Sequence, residues 1–225
     1  MSRESFLARV REAARAGAKY RVAVDDLPAG VGYCGAGDDP AARLVEEVNA
    51  VGGRGTLVAD WAAARAIMSD LLGRYAPTSA LCWQHPVLDR LGLSELLAEN
   101  GIERIDYDAL HALDADERRS RMLAADIGIS SATVAVAETG TLALASGPGC
   151  ERVASLLPPV HVAVVGPEQI VPDLFDLFAI IERSASEMAS NWVLVTGPSK
   201  TGDLELRLTT GVHGPGIWHV IVVRQ

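Results

Sequence analysis

The spacing of apolar and polar positions changes along this chain, and the changes divide it into elements. Residues 3–19 follow a helical pattern. Phe6, Leu7 and Val10 fall at i, i+1 and i+4 among Ala, Arg and Glu, and Gly17 with Lys19-Tyr20 would end the helix. Residues 20–40 lose this periodicity and are rich in Gly, Pro and Asp, the composition of a linker or flap. Order returns at Asp38. Either Asp38 or Asp39 is placed to cap a helix, Pro40 suits its first turn, and Leu44, Val45 and Val48 form one apolar face. Short apolar runs then alternate with helical stretches: a strand at 55–59, a helix at 60–73, a strand at 79–83, and short helices at 93–99 and 114–124. Alternation of this kind predicts a parallel sheet covered by helices.

From 125 to 146 the period becomes two. Thr133, Ala135 and Ala137 alternate with Val134 and Val136, and after Glu138-Thr139-Gly140 the alternation resumes with Leu142 and Leu144 against Thr141, Ala143 and Ala145. Two strands joined by a tight turn are expected, with Gly140 free to take positive φ. Further strands are expected at 161–165, 192–195 and 219–223. Between the first two of these, 172–188 reads as a helix with Leu174, Leu177, Phe178 and Ile181 on one face. The expected organisation is an N-terminal helix and irregular segment at 1–40 and an α/β domain at 41–225.

Composition narrows the class. Of the 225 residues 49% are hydrophobic but only 5% aromatic, so the core is built from Ala, Val, Leu and Ile, which suits parallel strands buried on both faces. A net charge of −9, with no basic run denser than Glu117-Arg118-Arg119-Ser120-Arg121, argues against a nucleic-acid binder. The N-terminus lacks the apolar core of a signal peptide, and no stretch approaches the roughly 18 apolar residues of a membrane span. Cys34, Cys82 and Cys150 form no C-x-x-C pair, which argues against a structural zinc or iron–sulfur site in this chain and suits a reducing cytoplasm. The histidines show no metal-ligand spacing, so no metal is expected. His161 begins a buried strand and reads as a satisfied core residue.

Candidate chemistry lies where Gly and small hydroxyl residues follow strand-like runs, as at the sites of α/β proteins. Glu138, with Thr139 and Gly140 beside it, is a candidate nucleophile, general base or ligand anchor, or else an acceptor for N–H groups of its own turn. The segment Thr196-Gly197-Pro198-Ser199-Lys200-Thr201-Gly202-Asp203 follows a strand and is expected to open a short helix. Its unpaired N–H groups, Ser199, Lys200 and Thr201 suit a carboxylate or phosphate. The competing reading is plain capping, with Thr201 as N-cap and Asp203 and Glu205 in the first turn. Gly147 and Gly149, in Ser146-Gly147-Pro148-Gly149, would let backbone approach a ligand or would serve an ordinary turn. His213 stands in a loop between Gly211 and Gly214-Pro215.

Taken in order, Ala137-Glu138-Thr139-Gly140-Thr141-Leu142, Ser146-Gly147-Pro148-Gly149, Ser155 to Val165, Thr196 to Glu205 and Gly211-Val212-His213-Gly214-Pro215 resemble the lactate-utilisation domain family, most closely its short single-domain members. The resemblance covers roughly the C-terminal half. It implies a three-layer α/β/α fold with a Rossmann-like, mainly parallel sheet, like that of ribose-phosphate isomerases, glucosamine-phosphate deaminases and CoA transferases. It also implies a part in oxidising L-lactate to pyruvate beside two iron–sulfur partner proteins. The larger members carry cysteine clusters that this chain lacks, so the clusters are expected on the partners and no cofactor in the chain itself. CoA transferases of the related fold use a glutamate at a comparable strand-end turn, which is the analogy for Glu138. The alternative is a free-standing enzyme or binding protein for a small anionic, phosphorylated or CoA-linked metabolite, using Glu138 and the Ser199-Lys200-Thr201 loop.

Overall fold

A computed structural model describes residues 3–17, 35–183, 189–202 and 208–225. They fall into two units, residues 1–34 and 35–225. In the first, helix α1 spans Arg3–Gly17 with no residue buried. The irregular segment expected before Asp38 lies largely outside the described residues.

The second unit carries the α/β pattern. In chain order it comprises α2 (Pro40–Ala50), β1 (Arg54–Val58), α3 (Trp61–Tyr75), β2 (Ser79–Cys82), α4 (Pro86–Leu91), α5 (Leu93–Glu99), β3 (Glu103–Ile105), α6 (Tyr107–His111), α7 (Ala115–Ala124) and β4 (Ile127–Ser130). Then come β5 (Val134–Val136), β6 (Thr141–Ser146), α8 (Val153–Leu156), β7 (Val160–Val165), β8 (Ile170–Val171), α9 (Leu174–Arg183), β9 (Asn191–Val195), β10 (Lys200–Gly202), β11 (Leu208–Thr210) and β12 (Ile217–Val223). Aspartates start the helices by accepting orphan N–H groups. Asp39 accepts from Ala42 N at 3.0 Å, Asp60 from Ala63 N at 2.8 Å and Asp114 from Glu117 N at 2.9 Å.

The central sheet has the order β1-β12-β7-β4-β2-β3, with every neighbouring pair parallel. Its middle strands are apolar almost throughout, and β7 is buried at all six positions. A parallel strand covered on both faces needs this composition. On β12, Trp218 lies against Gly53 and Val48 beside α2, whereas the next residue, His219, meets the Tyr75 hydroxyl of α3 at 2.8 Å. Helices α2 and α3 therefore cover opposite faces. Burial lowers the His219 pKa to about 4.

A second sheet, ordered β8-β5-β6-β9, alternates cleanly. Ala135, Ala137, Leu142 and Leu144 join the main core, while Val134, Val136 and Ala143 pack against Leu177 of α9. The hairpin β5–β6 is antiparallel with Val136 opposite Thr141, and Gly140 takes φ +63°. This is the turn that the period-two pattern predicts.

Helix α9 is described from Leu174 to Arg183, and residues 184–188 of the expected helix lie outside the described residues. Helix α4 is not anticipated by the sequence. His161 is half satisfied: Nε2 stands 2.8 Å from the Ser130 hydroxyl, but buried Nδ1 has no partner among the described residues. Burial alone lowers its pKa to about 3 and so keeps the ring neutral.

Candidate functional site

The two turns singled out by sequence do meet. Thr139 Oγ1 lies 2.7 Å from Thr141 Oγ1, which lies 2.7 Å from Thr196 Oγ1, so hydroxyls link the Glu138 turn to the loop after β9. Both turns press on the end of α2. A Cβ on Gly140 would stand 2.6 Å from the Val48 nitrogen, and one on Gly197 would stand 3.0 Å from the Val51 carbonyl oxygen. Lys200 Nζ donates to that same carbonyl at 2.6 Å. Val51 is the C-cap of α2, so the ammonium sits at the negative end of the helix dipole.

Glu138 is held at both ends. Its N–H donates to the Pro172 carbonyl at 3.0 Å, and its Oε1 accepts the Gly35 N–H at 3.1 Å. The acceptor role foreseen for its carboxylate thus takes in a donor far away in the chain. Ser199 ties the loop to the next one: its N–H donates to the Pro215 carbonyl, and its own carbonyl accepts the Gly211 N–H. His213 lies exposed in that next loop.

Where the helix expected after Pro198 should start, the chain is extended instead. Lys200, Thr201 and Gly202 make strand β10, paired antiparallel with β11 in the register Thr201 opposite Thr209 and Lys200 opposite Thr210. β-branched threonines on both strands favour this pairing over a helical turn. Thr201 is therefore not an N-cap. Asp203, Glu205 and Arg207 lie outside the described residues.

A cavity opens elsewhere, at the Ser146-Gly147-Pro148-Gly149 loop. The loop folds over the carboxyl end of β2. Gln84 N donates to the Gly149 carbonyl at 2.7 Å, and Trp83 Nε1 donates to the Glu151 carbonyl at 3.0 Å. Gly149, at φ +80°, packs on the Gln84 side chain, whereas a Cβ on Gly147 would meet nothing within 4 Å. The resulting cavity of about 510 Å³ is lined by His111 from the end of α6, by Ser146, Gly147, Glu151 and Arg152, and by Asn191 at the start of β9. Ligand crevices of open parallel sheets form at the carboxyl ends of strands. Ser146 is 8% exposed, and its buried Oγ has no hydrogen-bond partner among the described residues. Desolvation raises the Glu151 pKa, with Asp106 adding to the shift and His111 opposing it. Of this wall, sequence reasoning identified only the Gly-rich turn. His111 carries no recognisable spacing, and Glu151-Arg152 directly after the turn is the one local signal that points to it.

Two further facts bound the chemistry. Among the described residues no group of three or more His, Cys, Asp or Glu is placed to hold a metal. No helix among them is long and apolar enough to cross a membrane.

The model of the LUD domain matches residues 41–223, nearly the whole second unit. Lactate utilization protein C of Halalkalibacterium halodurans is 30% identical over 151 residues, 66% of this chain and 64% of that protein. The protein of the same name from Bacillus licheniformis is 36% identical over 141 residues, 60% of this chain and 58% of that protein. Lactate utilization protein B of Shouchella clausii is 35% identical over 113 residues, 48% of this chain but 22% of that protein. The chain thus spans a little under two thirds of the C-type relatives it matches. A crystal structure of a DUF162 family protein from Deinococcus radiodurans shares the fold, with TM-score 0.60 and 21% identity over 82% of this chain and 96% of that one. With the domain matched over residues 41–223, the chain belongs to the LUD domain family.

Proposed function

We propose that this protein acts in lactate utilisation as a non-redox subunit or accessory protein in the oxidation of L-lactate to pyruvate. The observation that carries the reading is the similarity to proteins named lactate utilization protein C over about two thirds of the chain. The oxidation removes two electrons and two protons from lactate, and the electrons pass to iron–sulfur clusters on partner proteins. Burial pushes the Cys82 thiol up to about 12 and the half-buried Cys150 thiol up to about 11, so both stay protonated at neutral pH.

Deleting the gene tests the proposal. Growth on L-lactate as sole carbon source should stop and should return with the wild-type chain. Normal growth, in a strain with no second copy, overturns it. Complementation with Glu138→Gln separates the alternative reading. That variant keeps an oxygen to accept the Gly35 N–H but loses the charge. Failure to restore growth, with the melting temperature unchanged, favours a catalytic carboxylate over a structural one.

A further inference from the structure

We infer that the cavity where β2, β4 and β7 end side by side is a binding site for a free α-amino acid, held between Arg90 and Glu168. The inference does not rest on the lactate-utilisation reading. The order of the main sheet reverses at this place. The chain leaves β2 for β3 on its outer side, then returns to lay β4 against the other side of β2 and goes on to β7. In open α/β sheets ligands bind outside the carboxyl ends of the strands at such a reversal. His85, Thr133 and Glu168 each stand third after the last residue of one of these strands, Cys82, Ser130 and Val165. With Arg90 of α4 they line a cavity of about 410 Å³, room enough for a small molecule.

Each group in the wall is held by a contact of its own. Gln169 ties the loop after β7 to the loop after β4. Its buried side chain accepts the Gly166 N–H at 2.7 Å and donates to the Ser131 hydroxyl at 3.0 Å and to the Ala132 carbonyl. His85 Nδ1 accepts the Val87 N–H at 3.3 Å, which leaves the ring proton on Nε2, at the other edge of the ring. Burial lowers the His85 pKa, so at neutral pH the ring is an uncharged donor. Thr133 Oγ1 accepts the Ala145 N–H at 2.9 Å and keeps its own hydrogen to give. Arg90 lies over the Trp61 ring, its guanidinium carbon 4.5 Å from the centroid. Glu168 folds back over Gly166: its carboxylate oxygens stand 2.7 and 2.8 Å from where a Cβ on that glycine would be. Its negative charge is felt at the His85 ring. Arg90, Thr133 and Glu168 are all exposed, so a ligand can reach them.

Charge selects the ligand. Arg90 and Glu168 line the same cavity, yet neither forms an ion pair among the described residues, with each other or with anything else. A ligand with a single charge would compensate one of them and strip water from the other. A ligand that carries both an ammonium and a carboxylate compensates both. The ammonium has only hydrogens to give, and Glu168 is the acceptor. The carboxylate has only lone pairs, and the Arg90 fork, the His85 Nε2–H and the Thr133 hydroxyl are donors. A free α-amino acid has this pairing of charges. Phosphate or a dicarboxylate would set like charge against Glu168.

Isothermal titration of the whole chain with each of the proteinogenic L-amino acids tests the site. At least one should bind. Its N-acetyl derivative loses the ammonium and its primary amide loses the carboxylate, and each should bind about tenfold or more weakly, the loss of one charge-assisted pair. L-lactate, with a hydroxyl in place of the ammonium of alanine, should do no better than these derivatives. Glu168→Gln and Arg90→Gln should each weaken binding by a similar factor, and both residues are exposed, so the variants should fold. Gly166→Ala is the further probe. Its φ of −83° accepts alanine, but the methyl group would displace the Glu168 carboxylate, so binding should fall while the melting temperature holds. The inference fails if no amino acid binds at millimolar concentration, if the N-acetyl or amide derivative binds as well as the free amino acid, or if Glu168→Gln and Arg90→Gln both bind like wild type. Loss of growth on L-lactate after deletion, without amino-acid binding in vitro, would keep the pathway reading and remove this site.

Discussion

Two glycine-rich turns of this protein look alike in sequence and do opposite work. At Glu138-Thr139-Gly140 the missing Cβ is space taken by another part of the chain: the backbone of Glu47 and Val48 in α2 lies within 2.9 Å of where it would be. At Ser146-Gly147-Pro148 the missing Cβ is open space. Both follow or join strands, and both sit next to hydroxyl residues. The difference is whether an element from elsewhere fills the gap. A glycine is a packing device in the first case and a doorway in the second.

The largest effect should come from removing that distinction with a methyl group. At Gly140 a left-handed backbone costs an L-residue about 1–2 kcal/mol. Pushing a helix backbone aside adds the overpacking cost of about 1–3 kcal/mol. Gly140→Ala should therefore destabilise by about 3 kcal/mol in urea unfolding. Gly147→Ala, with neither strain nor contact, should stay within about 0.5 kcal/mol of wild type. Equal losses at both positions would erase the comparison.

Lys200 carries the same contrast at smaller scale. It was the cation expected to hold an anion, yet its ammonium donates to the Val51 carbonyl at the end of α2. Lys200→Met keeps the aliphatic stem and removes the charge. It should cost about 0.5–1 kcal/mol of stability, the value of one cation at a helix C-terminus, and the loss should shrink in high salt. Unchanged stability would mean that the contact with Val51 contributes nothing to the fold.

How much of this was legible follows from range. Local signals were readable: Asp39 before Pro40 caps α2, the period-two run predicts β5 and β6, and the apolar runs predict parallel strands. The Thr196 to Glu205 segment misled because Gly, Pro, Ser and acids make a good helix start. The described part of it, Lys200–Gly202, pairs instead with a second strand at Leu208–Thr210. The cavity was harder still. His111, Ser146, Arg152 and Asn191 come from separate parts of the chain and converge only once β2, β3 and β9 are in place. The Glu138 carboxylate finds its donor at Gly35, a contact with no sequence signature.

Two acids offer the finest test, since one caps the start of α2 in water and the other is desolvated just after the Ser146-Gly147-Pro148 turn. Asp39, at the start of α2, accepts the Ala42 N–H and pairs with Arg224 at 2.6 Å. Those partners, the backbone N–H first, hold its pKa below the ordinary 3.8. Glu151, in the cavity wall, is desolvated, and this raises its pKa above the ordinary 4.5. The signs for stability are opposite. Asp39 stabilises the fold above its unfolded pKa, and the contribution is lost as pH falls through the folded value. Glu151 is easier to protonate folded than unfolded, so its contribution is full below pH 4.5 and is lost as pH rises through the folded value. Carbon-13 NMR of the side-chain carboxyls should find Asp39 titrating below 3.8 and Glu151 above 4.5. A Glu151 midpoint at or below 4.5 would mean that the Ser146-Gly147-Pro148 turn leaves that carboxyl in water.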